Sequence, residues 1–108
     1  MTAYSKPIKK RLHELATLAH ERELSRALNC LRGKFDEWRA GKRTCWELSD
    51  DIHQFHDGEN RELYKLYLGN GFDRMVGRAI AVGLVTEEEA GTETCRAIGK
   101  FIGIYRTI

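Results

Sequence analysis

Apolar side chains recur at steps of three and four residues along almost the whole chain, and only an α-helical backbone stacks such a series on one side. Ile8, Leu12, Leu15 and Ala19 form a first stripe, and Leu24, Leu28, Leu31, Phe35 and Trp38 a second. Each marks one buried face of an amphipathic helix. Ser5 is the expected N-cap, with Pro7 in the first turn, where a missing N–H costs nothing. The stripes are offset by five residues across His20-Glu21-Arg22-Glu23, with no Gly or Pro there. The expectation is a kink or a migrating face rather than a wide loop. Gly41 is the natural stop.

Further helices follow from local punctuation. Thr44-Cys45-Trp46-Glu47 is a capping box, in which Thr and Glu satisfy orphan backbone donors reciprocally. Leu48, Ile52 and Phe55 are its expected buried stripe, and Gly58 ends or bends that helix. A short segment over 59–68 turns Leu63, Leu66 and Tyr67 inward. Gly69-Asn70-Gly71 is a turn, and Phe72, Met75, Val76, Ala79 and Ile80 belong to a buried helix ending near Gly83. Thr86-Glu87-Glu88-Glu89 is a second capping box, with three acids suited to the positive end of a helix dipole. One last helix then buries Ala90, Cys95, Ile98, Phe101, Ile102 and Tyr105. Its final residues, 101–108, have strand propensity but no partner strand. The expected fold is all-α: a single helical domain over 1–108, a compact bundle of five or six helices with a long N-terminal helical region.

Composition removes several alternatives. Leu, Ile, Val and Phe supply 25 of 108 residues, more than the ~20% below which charged chains stay disordered. No apolar run approaches the ~18 residues of a membrane span, and the polar start is unlike a secretory signal. Cys30, Cys45 and Cys95 are odd in number and share no C-x-x-C spacing. They point to a reducing cytosol rather than a disulfide framework, and are expected to pack as small hydrophobes.

The net charge of +2 conceals a division. Residues 1–43 carry eleven Lys or Arg against five Asp or Glu, net +6, and residues 44–108 carry seven against eleven, net −4. Lys9, Lys10 and Arg11, with Lys42 and Arg43, are the candidate contacts for a nucleic-acid backbone, which needs only clustered positive charge. Acids at positions 14, 21, 23, 36 and 37 dilute that cluster, and no helix-turn-helix stands out, so a solvated face or an acidic protein partner are the competing readings.

The densest chemistry lies in Asp50, His53, His56 and Asp57. Asp50, His53 and Asp57 are spaced i, i+3 and i+7, which on a regular helix is one face. A histidine between carboxylates suits acid–base work or a divalent metal. One helix face seldom supplies converging ligands, and no H-E-x-x-H is present, so a solvated acidic face is the competing reading and no metal or cofactor is assigned. Ser49 and the cysteines lack a nucleophile elbow, so no catalytic residue is assigned. Gly69-x-Gly71 lacks the strand that precedes a phosphate loop. Gly99-x-x-x-Gly103 permits close helix approach.

The stretch from Glu47 to Gly58, then Arg61-Glu62-Leu63-Tyr64-Lys65-Leu66-Tyr67 and Ala79-Ile80-Ala81-Val82-Gly83-Leu84, resembles segments of small bacterial all-helical proteins of no assigned activity. The resemblance spans about residues 36–90. It implies a helical fold and a bacterial or phage origin, and carries no activity.

Leu24, Leu28, Leu31, Phe35 and Trp38 form a 4-3-4-3 seam like that of paired helices. It packs either inside the monomer or against a second copy. Trp46 lies off the neighbouring stripe; packing on another helix is expected, with an interface anchor beside Lys42 and Arg43 as the alternative. The residues therefore read as a non-enzymatic helical interaction module that binds another macromolecule, with a homodimer as one form of that binding. A nucleic-acid-associated protein and an enzyme on the His53/His56 helix are the alternatives. Nothing identifies a small-molecule ligand.

Overall fold

The computed structural model describes residues 4–108. The protein is all-α, with no strand among the described residues. Its elements are α1 (Lys6–Arg39), α2 (Cys45–Gln54), a π-helical turn (Phe55–Asn60), α3 (Arg61–Gly69), α4 (Phe72–Ala81), α5 (Glu87–Ala90), α6 (Thr92–Ala97) and α7 (Gly99–Arg106). Because α2, the π turn and α3 follow without an intervening loop, they form one helical run. Two compact units result: residues 4–22 with Tyr67–Ile108, and Glu23–Leu66.

The helix boundaries follow the local signals. Ile8 N–H donates to Ser5 Oγ at 3.4 Å, capping α1. α1 then runs unbroken to Arg39, through the expected change of phase. Gly41, at φ +77°, ends it: its N–H donates to Trp38 O and the Lys42 N–H to Glu37 O. That is the paired bonding of a Schellman stop, where a left-handed residue favours glycine. Gly83, at φ +83°, ends α4 in the same way. Both capping boxes form, Thr44 with Glu47 and Thr86 with Glu89.

The first unit holds most of the buried apolar residues. Leu12, Leu15 and Ala19 of α1 are buried, as are Met75, Val76, Ala79 and Ile80 of α4, with Leu84, Val85, Ile98 and Ile102. α4 and α7 pack closely because Gly77 has no side chain: a Cβ there would lie 2.6 Å from Phe101 Cβ. The close approach expected of Gly99 and Gly103 is not theirs, since both face open space. The single last helix is also corrected. Gly91, at φ +89°, and Ile98, at φ −114°, divide it into α5, α6 and α7. Phe72, expected to be buried, is exposed.

The second unit is an antiparallel helical hairpin. Its arms are α1 from Glu23 onward and the run from α2 to Leu66, joined by the Ala40–Thr44 turn. Arg43 anchors that turn. Its guanidinium holds Asp51 through two bonds, Nε to Oδ2 at 2.5 Å and Nη2 to Oδ1 at 3.0 Å, and reaches Glu37 Oε2 at 3.2 Å. Loop and both arms are thereby tied by a planar fork suited to carboxylates. Gly58 falls inside the π turn, so it changes the helix's phase instead of ending it. Leu48 and Leu63 are buried, but Ile52, expected inside, is exposed and Phe55 is half-buried.

Candidate interaction surface

The second stripe of α1 is the largest departure from a self-contained fold. Leu24 and Leu31 are half-buried, whereas Leu28, Phe35 and Trp38 are 46%, 37% and 43% exposed. Trp38 is thus not a core residue. The cause is phase. Ala27, which is buried, lines the cleft facing the other arm together with Leu31 and Lys34. On a helix, Leu28 and Phe35 lie roughly 80–100° around from Ala27. The hairpin covers one flank of the apolar stripe and leaves the other in water.

The opposite arm repeats the pattern. Ile52 is 41% exposed and Trp46 79%. Trp46 does not pack on another helix, contrary to the expectation. Within the hairpin only Ala27, Leu48 and Leu63 are buried apolar residues. A cleft of about 180 Å³ runs between the arms, lined by Ala27, Leu31, Lys34, Gln54, Phe55 and others.

The histidine–acid group does not form a ligand cage. Asp50, His53, His56 and Asp57 are all exposed. Asp57 and His56 lie in the π turn, whose i→i+5 geometry widens the helix. The i, i+3, i+7 spacing therefore no longer brings Asp57 back beneath Asp50 and His53. Among the described residues no three His, Cys, Asp or Glu side chains are grouped to hold a metal ion.

The basic candidates separate into two kinds. Lys9, Lys10 and Lys42 are exposed. Arg43 is engaged by Asp51 and Glu37, and its hydrogen bond holds the Asp51 carboxyl below the usual carboxylate range. Arg11 bonds Glu14 at 3.3 Å and the backbone carbonyl of Glu89. Neither arginine stands ready for a phosphate in the way clustered charge alone suggests. The cysteines also depart from expectation: Cys30 and Cys45 are exposed and Cys95 half-buried. Burial and the neighbouring Glu87 push the Cys95 thiol upward, away from the reactive thiolate.

Sequence reading missed a group in the first unit. Arg22 bonds Glu89 through two contacts, at 2.6 and 2.9 Å, and donates to Leu84 O at 2.8 Å. Glu89 also accepts from Thr86 N–H at 3.0 Å. His20 stacks on Tyr67 with ring centroids 4.5 Å apart, and His13 meets the edge of Phe72 at 4.7 Å. The seven-residue spacing of His13 and His20 was the available signal, but their ring partners lie far away in sequence. Among the described residues no helix is long and apolar enough to cross a membrane. No protein-family model matches this chain, nor does any curated protein sequence or solved structure.

Proposed function

We propose that the chain is a non-enzymatic helical interaction module of the cytosol, and that the uncovered side of its hairpin is the contact surface. The supporting observation is the exposure of Leu28, Phe35 and Trp38 on one apolar stripe, accompanied on the other arm by Ile52, while the exposed Trp46 lies about 120° further around α2. Single exposed apolar residues are ordinary, whereas a grouped set with aromatic members is typical of an interaction site. The Arg43–Asp51 and Arg43–Glu37 ion pairs tie together the two helices that carry the surface.

Nucleic-acid binding is the weaker reading. Arg11 and Arg43 already bond acceptors within the protein, and Lys9, Lys10 and Lys42 are left as scattered charges. A photo-crosslinking amino acid at position 35, with position 9 as the comparison, tests the reading in cells of the native host. Covalent adducts to protein from position 35, exceeding those from position 9, are expected. Adducts confined to nucleic acid, or none from position 35, would overturn it.

A further inference from the structure

Resting on that reading, we infer that the occupant of the hairpin surface is a second copy of this chain, with each basic arm laid against its partner's acidic arm in an antiparallel four-helix bundle. Two observations lead there. The hairpin is short of core, with only Ala27, Leu48 and Leu63 buried among its apolar residues. Small units of this kind usually need a metal, disulfides or oligomerisation to hold their fold. Pairing two hairpins by their uncovered sides gives each stripe the second flank it lacks, as in bundles built from facing helices.

Charge selects the copy and its orientation. Residues 23–43 carry six Lys or Arg against three Asp or Glu, and residues 44–66 carry two against six. The same surface is therefore flanked by a basic arm and an acidic arm, which makes it complementary to itself. A two-fold contact uses one patch twice. Laid face to face, two hairpins can pair like arm with like, opposing similar charges, or each arm with the other kind. Only the second sets Arg32 and Arg39, which flank Leu28 and Phe35 on α1, against the acidic arm of the second copy. Like charges brought together cost affinity, so the crossed arrangement is selected.

Sedimentation equilibrium of the purified full chain tests this directly. At micromolar concentrations the mass should be twice the 12.4 kDa of one chain. Phe35→Glu should weaken association by about tenfold or more while keeping the helical circular dichroism, because Phe35 is already exposed in the single chain. Raising salt from about 0.05 M to 0.5 M should weaken the wild-type dimer, since screening removes favourable pairings between arms. A 12.4 kDa species at high micromolar concentration would overturn the second copy as occupant. Dimerisation that strengthens with salt would overturn the crossed arms, and unchanged association of Phe35→Glu the surface. A monomer that still crosslinks from position 35 to a different protein would leave the interaction-module reading standing and this inference refuted.

Discussion

Glu89 joins three local requirements in one side chain. It completes the capping box at Thr86, binds Arg22 through both carboxylate oxygens, and offers its backbone carbonyl to Arg11. The Arg22 hydrogen bonds, then those from Thr86, lower its carboxyl from an ordinary 4.5 to about 2. A depressed acid stabilises the folded state above its unfolded value and loses that contribution as pH falls through the folded one. Glu89 therefore contributes fully at neutral pH and progressively less from pH 4.5 towards about 2. Glu89→Gln should be less stable than wild type at pH 7, and the gap should narrow across that window. Urea midpoints at several pH values check this; parallel curves for the two proteins would remove Glu89 from acid sensitivity. Its capping role was legible from Thr86-x-x-Glu89, because that bond spans three residues. The Arg22 pair was not, since it joins residues 67 apart in sequence.

Elements show the same division between local and distant causes. Caps and stops at Ser5, Gly41, Thr44, Gly83 and Thr86 were readable because each is decided within one helical turn. The π turn was not: Gly58 signals an irregularity without saying whether the chain stops or changes phase. That ambiguity aligned Asp57 falsely with His53; Ile52 lies ahead of the π turn, in α2, and its exposure depends on what the other arm covers. The seam on α1 was legible as a stripe, but which flank is covered depends on the other arm. Helical glycines separate the two kinds of cause experimentally. Gly77→Ala forces a methyl against Phe101 and its backbone, where overpacking costs about 1–3 kcal/mol. Gly33→Ala, in α1 with open space at that position, should stabilise by up to about 1 kcal/mol through helix propensity. Denaturant midpoints should therefore move in opposite directions. A gain at Gly77 would show that α4 and α7 do not approach as closely as described.

For the molecule as a whole, stability is unevenly distributed, which is not legible in a chain whose apolar residues occur throughout. Leu15, Met75, Val76, Val85 and Ile98, the largest fully buried side chains, all belong to the unit containing α4 to α7. The Glu23–Leu66 hairpin relies on a narrow interior and on the Arg43 ion pairs. Regions with few buried apolar contacts open at lower free energy than the core, and amide exchange reports that opening. In dilute solution, amides of α2 should exchange faster than those of α4, although both helices have ten residues and capped or well-formed starts. Concentration supplies the second half of the prediction. Association that covers Leu28, Phe35 and Ile52 stabilises the hairpin by mass action. Its exchange should then slow as protein concentration rises, while α4 changes little. Hydrogen exchange read by NMR at two concentrations distinguishes the cases. Equal protection of α2 and α4 in dilute solution would contradict the uneven core; hairpin exchange indifferent to concentration would contradict the covering of its exposed stripe by a second chain.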